Sequence, residues 1–152
     1  MHTTRLEIVK DAEIKRHRVR EYLFSKNLDA VMISTREHFS WITSGGDSHV
    51  VRNSNIGFGT LLITADSAYL LAHSMDADRL MDEQVEGQGY ELIRLHWYDG
   101  DVRARAVEMG GKRIGSDTSF PGTSNVYEDL VDLHYPMTDL EIERLRWLAG
   151  TT

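Results

Sequence analysis

The side chains able to do acid–base, nucleophilic or metal chemistry here are 24 Asp and Glu and seven His, with no Cys. A dinuclear metal centre needs several carboxylates and imidazoles converging on one point. No H-E-x-x-H, H-x-H or paired E-x-x-H spacing lies on the helices that the sequence predicts. Asp76, Asp78 and Asp82 cluster near a helix start, where the helix dipole favours carboxylates, so capping accounts for them. Asp99 and Asp101 read the same way. His2, His17, His38, His49, His73, His96 and His134 are scattered without ligand spacing. His49, inside a polar stretch, is the most interesting, although a lone imidazole is more often structural or solvent-facing. Without Cys, thiolate and disulfide chemistry is excluded. A nucleophile elbow would need G-x-S-x-G, which is absent. Ser44-Gly45-Gly46-Asp47-Ser48 follows a helical segment rather than a strand, and Gly57-Phe58-Gly59 lacks the third glycine of a dinucleotide fingerprint. Gly110-Gly111 and Gly115 match no phosphate loop. These residues assign no catalytic group and no metal ligand to this chain.

The elements that would position such groups follow from periodicity and punctuation. A first helix spans Asp11 to Lys26 and starts as early as Thr4, since Thr4 and Glu7 have capping-box spacing. Ala12, Val19, Tyr22 and Leu23 share one face, and Asn27 ends the helix in a left-handed turn. The basic run Lys15, Arg16, His17, Arg18, Arg20 on this helix reads as a solvated face. Asp29 to Ser34 is a buried strand, and Arg36 to Thr43 a short helix or turn stopped by Gly45-Gly46. Ser48 to Gly57 is polar and reads as a loop with room for a strand. Thr60–Thr64 and Ala68–Ala72 form a hairpin across Ala65-Asp66-Ser67. Asp76 to Glu86 reads as a helix capped by Asp76 and stopped by Gly87. Glu91 to Trp97 alternates as a strand. Asp101 to Met109 is a helix, Arg113 to Ser116 a strand, and Asn125 to Leu133 a helix. Thr138-Asp139-Leu140-Glu141 is a capping box opening a final helix with Ile142, Leu145, Leu148 and Ala149 as its apolar stripe. A hairpin within alternating strands and helices implies a mixed α/β fold, a sheet covered by helices. Its core is expected to hold Val31, Ile33, Leu61, Leu62, Ile63, Leu70, Leu71, Leu92 and Ile93.

Composition sets outer bounds. The 152 residues suit one domain, with 41% hydrophobic and 27% charged residues. A net charge of −7 and a pI near 5.4 argue against nucleic-acid partners, which need clustered Lys and Arg. No apolar signal-peptide core opens the chain, and no stretch approaches the roughly 18 apolar residues of a membrane span. A soluble, cytoplasmic protein without membrane partners is expected.

Three stretches carry a family likeness. The first is Ala12-Glu13-Ile14-Lys15-Arg16 through Leu23, followed by Asn27 to Ile33. The second is Glu37-His38-Phe39-Ser40-Trp41-Ile42-Thr43-Ser44-Gly45. The third is Pro136-Met137-Thr138-Asp139-Leu140-Glu141-Ile142-Glu143-Arg144-Leu145-Arg146. Together they resemble the N-terminal domain of the creatinase, aminopeptidase P and prolidase family, with support from Arg113-Ile114-Gly115-Ser116-Asp117. The resemblance runs from about residue 11 to 149 and rests on the order and spacing of the stretches. It implies a ribonuclease H-like mixed sheet over residues 1–135. Residues 136–152 are then a linker and the start of a helix leading to a C-terminal "pita-bread" catalytic domain outside this chain. That domain would hold two divalent metals (Mn, Co or Zn) through two Asp, one His and two Glu, leaving no cofactor here. The segment Asp117 to Met137 is shorter than in many members.

The reading this supports is a non-catalytic domain of a Xaa-Pro peptidase or creatinase-like hydrolase, covering the active site and supporting a homodimer. Trp41, His49 and Arg52, in and beside the polar loop, are expected to gate substrate. Arg52 would pair with a substrate carboxylate, which its planar fork suits. Two other classes stand beside it. One is a free-standing α/β ligand-binding or adaptor domain. The other is a small Rossmann-like nucleotide enzyme, disfavoured by the missing phosphate loop.

Overall fold

Alternating side chains along three central strands bury both faces of one sheet. The computed structural model describes residues 5–44, 56–81, 85, 87–96, 100–134 and 136–150. The strands are β1 (Ala30–Thr35), β2 (Ile56–Thr64), β3 (Ala68–His73), β4 (Glu91–Leu95), β5 (Ile114–Ser116) and β6 (Thr123–Asn125). Their order in the sheet is β4-β3-β2-β1-β5-β6. β2 is antiparallel to β1 and β3, while the pairs β1–β5, β5–β6 and β3–β4 are parallel. The helices are α1 (Arg5–Ser25), α2 (Arg36–Ile42), α3 (Ser74–Arg79), α4 (Val102–Met109), α5 (Tyr127–His134) and α6 (Asp139–Gly150). This is the mixed, helix-flanked α/β sheet expected. No described helix is long and apolar enough to cross a membrane.

One face of the sheet presents Val31, Ile33, Leu61, Ile63, Leu70 and Ala72 to Val19 and Leu23 of α1, Phe39 and Ile42 of α2, Ala77 of α3 and Leu130 of α5. The opposite face presents Ala30, Met32, Leu62 and Leu71 to Val102 and Ala106 of α4. Because β1 is covered on both sides, its sequence is a continuous apolar run rather than an alternating one. Seven of the nine expected core residues are fully buried. Leu92 and Ile93 are the correction. They are only half-buried because β4 is the edge strand, paired on one side to β3.

Local signals set most element ends. Asn27 adopts φ 55°, and Leu28 N–H returns to the Leu23 carbonyl at 2.8 Å, closing α1 as its sequence implies. The capping box of α6 forms in both directions: Thr138 N–H donates to Glu141 Oε1 at 2.9 Å and Glu141 N–H to Thr138 Oγ1 at 3.2 Å. Asp101 caps α4 by accepting from Arg103 N–H at 2.8 Å. α3 departs from expectation. It begins at Ser74, directly after β3, so Asp76 lies inside it rather than at its cap, and it ends at Arg79. β6 was not anticipated, being three residues, Thr123-Ser124-Asn125, without apolar alternation.

Apart from His17, which is 73% exposed, the basic run on α1 is not a solvated face. Lys15 is 2% exposed, while Arg16 and Arg20 are half-buried and donate to the carbonyls of Gln88 and Thr64. Arg18 reaches the Pro136 carbonyl. The physical reason is that α1 packs across the sheet and against α2, α5 and α6. Its cations must therefore satisfy backbone oxygens and carboxylates there.

Candidate functional site

Parallel strands β1 and β5 end beside each other, and in open α/β sheets ligands gather at the carboxyl ends of strands. Asp117, the first residue after β5, turns back onto β1. Its carboxylate accepts from Ser34 N–H at 2.8 Å, Thr35 N–H at 2.9 Å and the Thr35 hydroxyl at 2.7 Å. The single Thr35 hydroxyl proton is thereby used, so the 2.9 Å contact between Thr35 Oγ1 and His38 Nδ1 has the imidazole as donor. Asp117 Oδ2 also lies 3.3 Å from that nitrogen. Nδ1 therefore carries a proton, and Nε2 points away from Asp117. Such an Asp–His arrangement orients an imidazole to accept a proton or a hydrogen bond.

Trp41 sits three residues after His38 on α2, on the same side of the helix. Its ring stacks on His134 of α5, with centroids 4.5 Å apart and planes at 16°. His38 meets His134 edge-on at 5.0 Å and Tyr127 at 4.6 Å. Tyr127 in turn donates its hydroxyl proton to Glu37. Among the described residues, His38 Nε2, Trp41 Nε1 and His134 Nε2 are all buried and find no hydrogen-bond partner. Three orphaned nitrogens in one cluster are unusual in a native fold and mark a place to look for function. Burial, followed by the nearby His38, pushes His134 down to about 4, so it is neutral at pH 7.

A second layer carries formal charge. Lys15 Nζ lies 5.7 Å from the Trp41 ring centroid, 3.0 Å from Asp11 Oδ2 and 3.3 Å from Glu141 Oε2. Ser44 Oγ–H donates to Asp11 Oδ2 at 2.5 Å. Burial raises the Asp11 carboxyl, and hydrogen bonds from Ser44, Thr138 and Lys15 outweigh it, leaving Asp11 below its ordinary value.

Among the described residues, no three His, Asp or Glu side chains are placed to hold a metal ion. Two imidazoles and an indole do not fit the two-Asp, one-His, two-Glu set of a dinuclear centre. The cluster therefore offers oriented imidazole nitrogens and an indole N–H for hydrogen bonding.

Of the three residues expected to gate substrate, Trp41 enters this cluster, and His49 and Arg52 lie outside the described residues. Sequence reasoning passed over His38, His134, Asp117 and Lys15. The spacing of Thr35, His38 and Trp41 was a usable local signal. The joining of His38 to Asp117 and His134, far along the chain, was not.

No family model matches the chain, and no curated protein sequence matches it. Solved structures do match. A Xaa-Pro dipeptidase from Bacillus anthracis superposes with a TM-score of 0.59 at 18% identity, over 87% of this chain and 38% of its own. A prolidase from Pyrococcus horikoshii gives 0.60 at 18% identity, over 85% and 37%. The creatinase/prolidase N-terminal domain of an X-Pro dipeptidase from Streptococcus pyogenes gives 0.54 at 12% identity, over 78% of this chain and 98% of that one. The chain thus spans less than two fifths of the two longer enzymes and nearly all of the isolated domain. At these identities the likeness speaks to architecture, and the architecture of this chain is that of a creatinase/prolidase N-terminal domain.

Proposed function

We propose that this chain is the non-catalytic N-terminal domain of a dinuclear metallohydrolase acting on Xaa-Pro bonds or on a creatine-like substrate, covering the active site and supporting a cytoplasmic homodimer. The observation that carries the reading is α6. Leu140 is buried, but Leu145, Trp147 and Leu148 are 57%, 47% and 56% exposed on the same helix. Apolar side chains concentrated on one helix are the mark of a surface that packs against another unit. In the longer solved structures with this fold, the similar part is under two fifths of an enzyme chain, which supports a catalytic domain as the partner. The two divalent metals of that domain would supply a metal-bound water as nucleophile. Trp41 would face the substrate side together with His49 and Arg52.

Sequencing the gene beyond the codon for Thr152 tests the reading. An Asp, Asp, His, Glu, Glu set downstream is expected, and a reading frame that closes without it overturns the proposal. In the full-length protein, Arg52→Ala should lower kcat/KM for the natural substrate. An unchanged kcat/KM in a folded variant would remove Arg52 from the substrate path. The three orphaned nitrogens favour one second reading, a free-standing ligand-binding domain, which the same sequencing separates from the first.

A further inference from the structure

Ser44, at the end of α2, is a non-glycine residue at φ 59°. A backbone held in the left-handed region persists only where its surroundings over-determine it. Two elements do so here. The hydroxyl of Ser44 donates to Asp11 of α1, and its carbonyl accepts from Arg144 Nη1 of α6 at 3.3 Å. Ser44 N–H also returns to the Trp41 carbonyl at 3.1 Å, so the turn and Trp41 move together.

A second connection runs beside the first. Glu141 of α6 contacts the buried Lys15, which contacts Asp11, which holds Ser44. The same ammonium faces the Trp41 ring, and Trp41 stacks on His134. α6 is thus tied to the end of α2 twice, once directly and once through an ion triad in which Lys15 and Asp11 are buried and Glu141 is partly exposed. Withdrawing Glu141 leaves Lys15 paired to Asp11 alone and takes away one of the two carboxylates that fix where its ammonium sits against Trp41. Any displacement of α6 must then alter the Glu141–Lys15 contact, the Arg144–Ser44 hydrogen bond, or both.

We propose that α6 and the Trp41–His134–His38 cluster are one coupled unit, with Lys15 and Ser44 as the connection, so that a domain docking on the exposed face of α6 resets the packing of Trp41. The identity of that docking domain rests on the function proposed above. The coupling itself belongs to this chain and is measurable without the partner.

The test uses the 152-residue chain. Glu141→Gln removes the charge at Lys15 and keeps the capping box, which Gln also serves. Arg144→Ala releases the Ser44 carbonyl and leaves the Glu141–Lys15 contact in place. Leu145→Ala alters α6 on its exposed side as a control. Hydrogen exchange of the Trp41 indole N–H should quicken about tenfold in the first two variants and stay unchanged in the third, as expected for local opening of a buried contact. The His38 and His134 imidazole resonances should shift in the same two variants. If Trp41 exchange and both imidazoles are unchanged in Glu141→Gln and Arg144→Ala, the coupling is refuted, whatever the downstream gene encodes. If they respond and the gene lacks a hydrolase domain, the coupling stands and the proposed occupant of α6 falls.

Discussion

The two faces of the sheet are built from the same kind of strand residues and are covered in opposite ways. On the α4 side, Leu62, Leu71, Met32 and Ala30 meet Val102 and Ala106 in an apolar layer, with the neutral hydroxyl pair Ser34–Thr60 buried beside it and charged pairs at the rim. Arg105–Glu108 is an exposed pair of this kind. On the α1, α2 and α5 side, the apolar layer is interrupted by Lys15, Asp11, Asp117 and His38, each 3% exposed or less. An apolar layer gains stability with every group buried. Buried ions and imidazoles bring a desolvation penalty that their pairing only partly offsets. The difference teaches where this domain is shaped by something besides stability: at the carboxyl ends of β1 and β5, beneath α2 and α6.

Four measurements sharpen or break that contrast. The largest effect is expected for Lys15→Met, which strands Asp11 and Glu141 without their cation. It should lose about 3–5 kcal/mol in urea unfolding, and a neutral result would mean that the Lys15–Asp11 pair is not buried in solution. Next is Leu62→Ala on the α4 face, with an expected loss of roughly 2–5 kcal/mol. An unshifted urea midpoint would disprove the strand register in which Leu62 faces α4 opposite Met32 and Tyr69.

The third concerns pH. His134 has an ordinary value of 6.5 and is held to about 4 in the fold. Its contribution is therefore complete above pH 6.5 and is lost as pH falls through 4, because the unfolded chain takes up the proton first. A His134→Phe variant should show a flatter stability profile between pH 6.5 and 4, with its difference from the parent confined to that window. Equal slopes in the two proteins would contradict a neutral, buried imidazole. The smallest effect is expected for Arg105→Ala on α4, within about 0.5 kcal/mol. A loss comparable with that of Lys15→Met would erase the distinction between the two faces.

Much of the architecture is legible from residues near one another in the chain. The helical stripe Ala12, Val19, Tyr22 and Leu23, the apolar run of β1, the hairpin and the Thr138–Glu141 box are all set by neighbours within one or two turns. Helix periodicity, strand alternation and caps act over such distances, so the pattern survives without knowledge of the fold. The resemblance of the three quoted stretches reached the right architecture on the same footing.

The candidate site was decided elsewhere. Thr35, His38 and Trp41 form a readable spacing. The fixed orientation of His38, however, requires Asp117, which lies 82 residues from Thr35. Its neighbour His134 comes from a different helix. Lys15 looked like one cation among several on a wet helix face until α6 folded over it, since burial is a property of what packs on a residue and not of the residue itself. Leu92 and Ile93 carry the composition of a core strand and become half-exposed only because β4 has one neighbour. By itself, then, the sequence determined the elements, their ends and the kind of sheet they build. The tertiary structure alone decided which charges were buried, which imidazole was held by which carboxylate, and which strand stood at the edge. Those outcomes depend on contacts between distant segments, and no local periodicity encodes them.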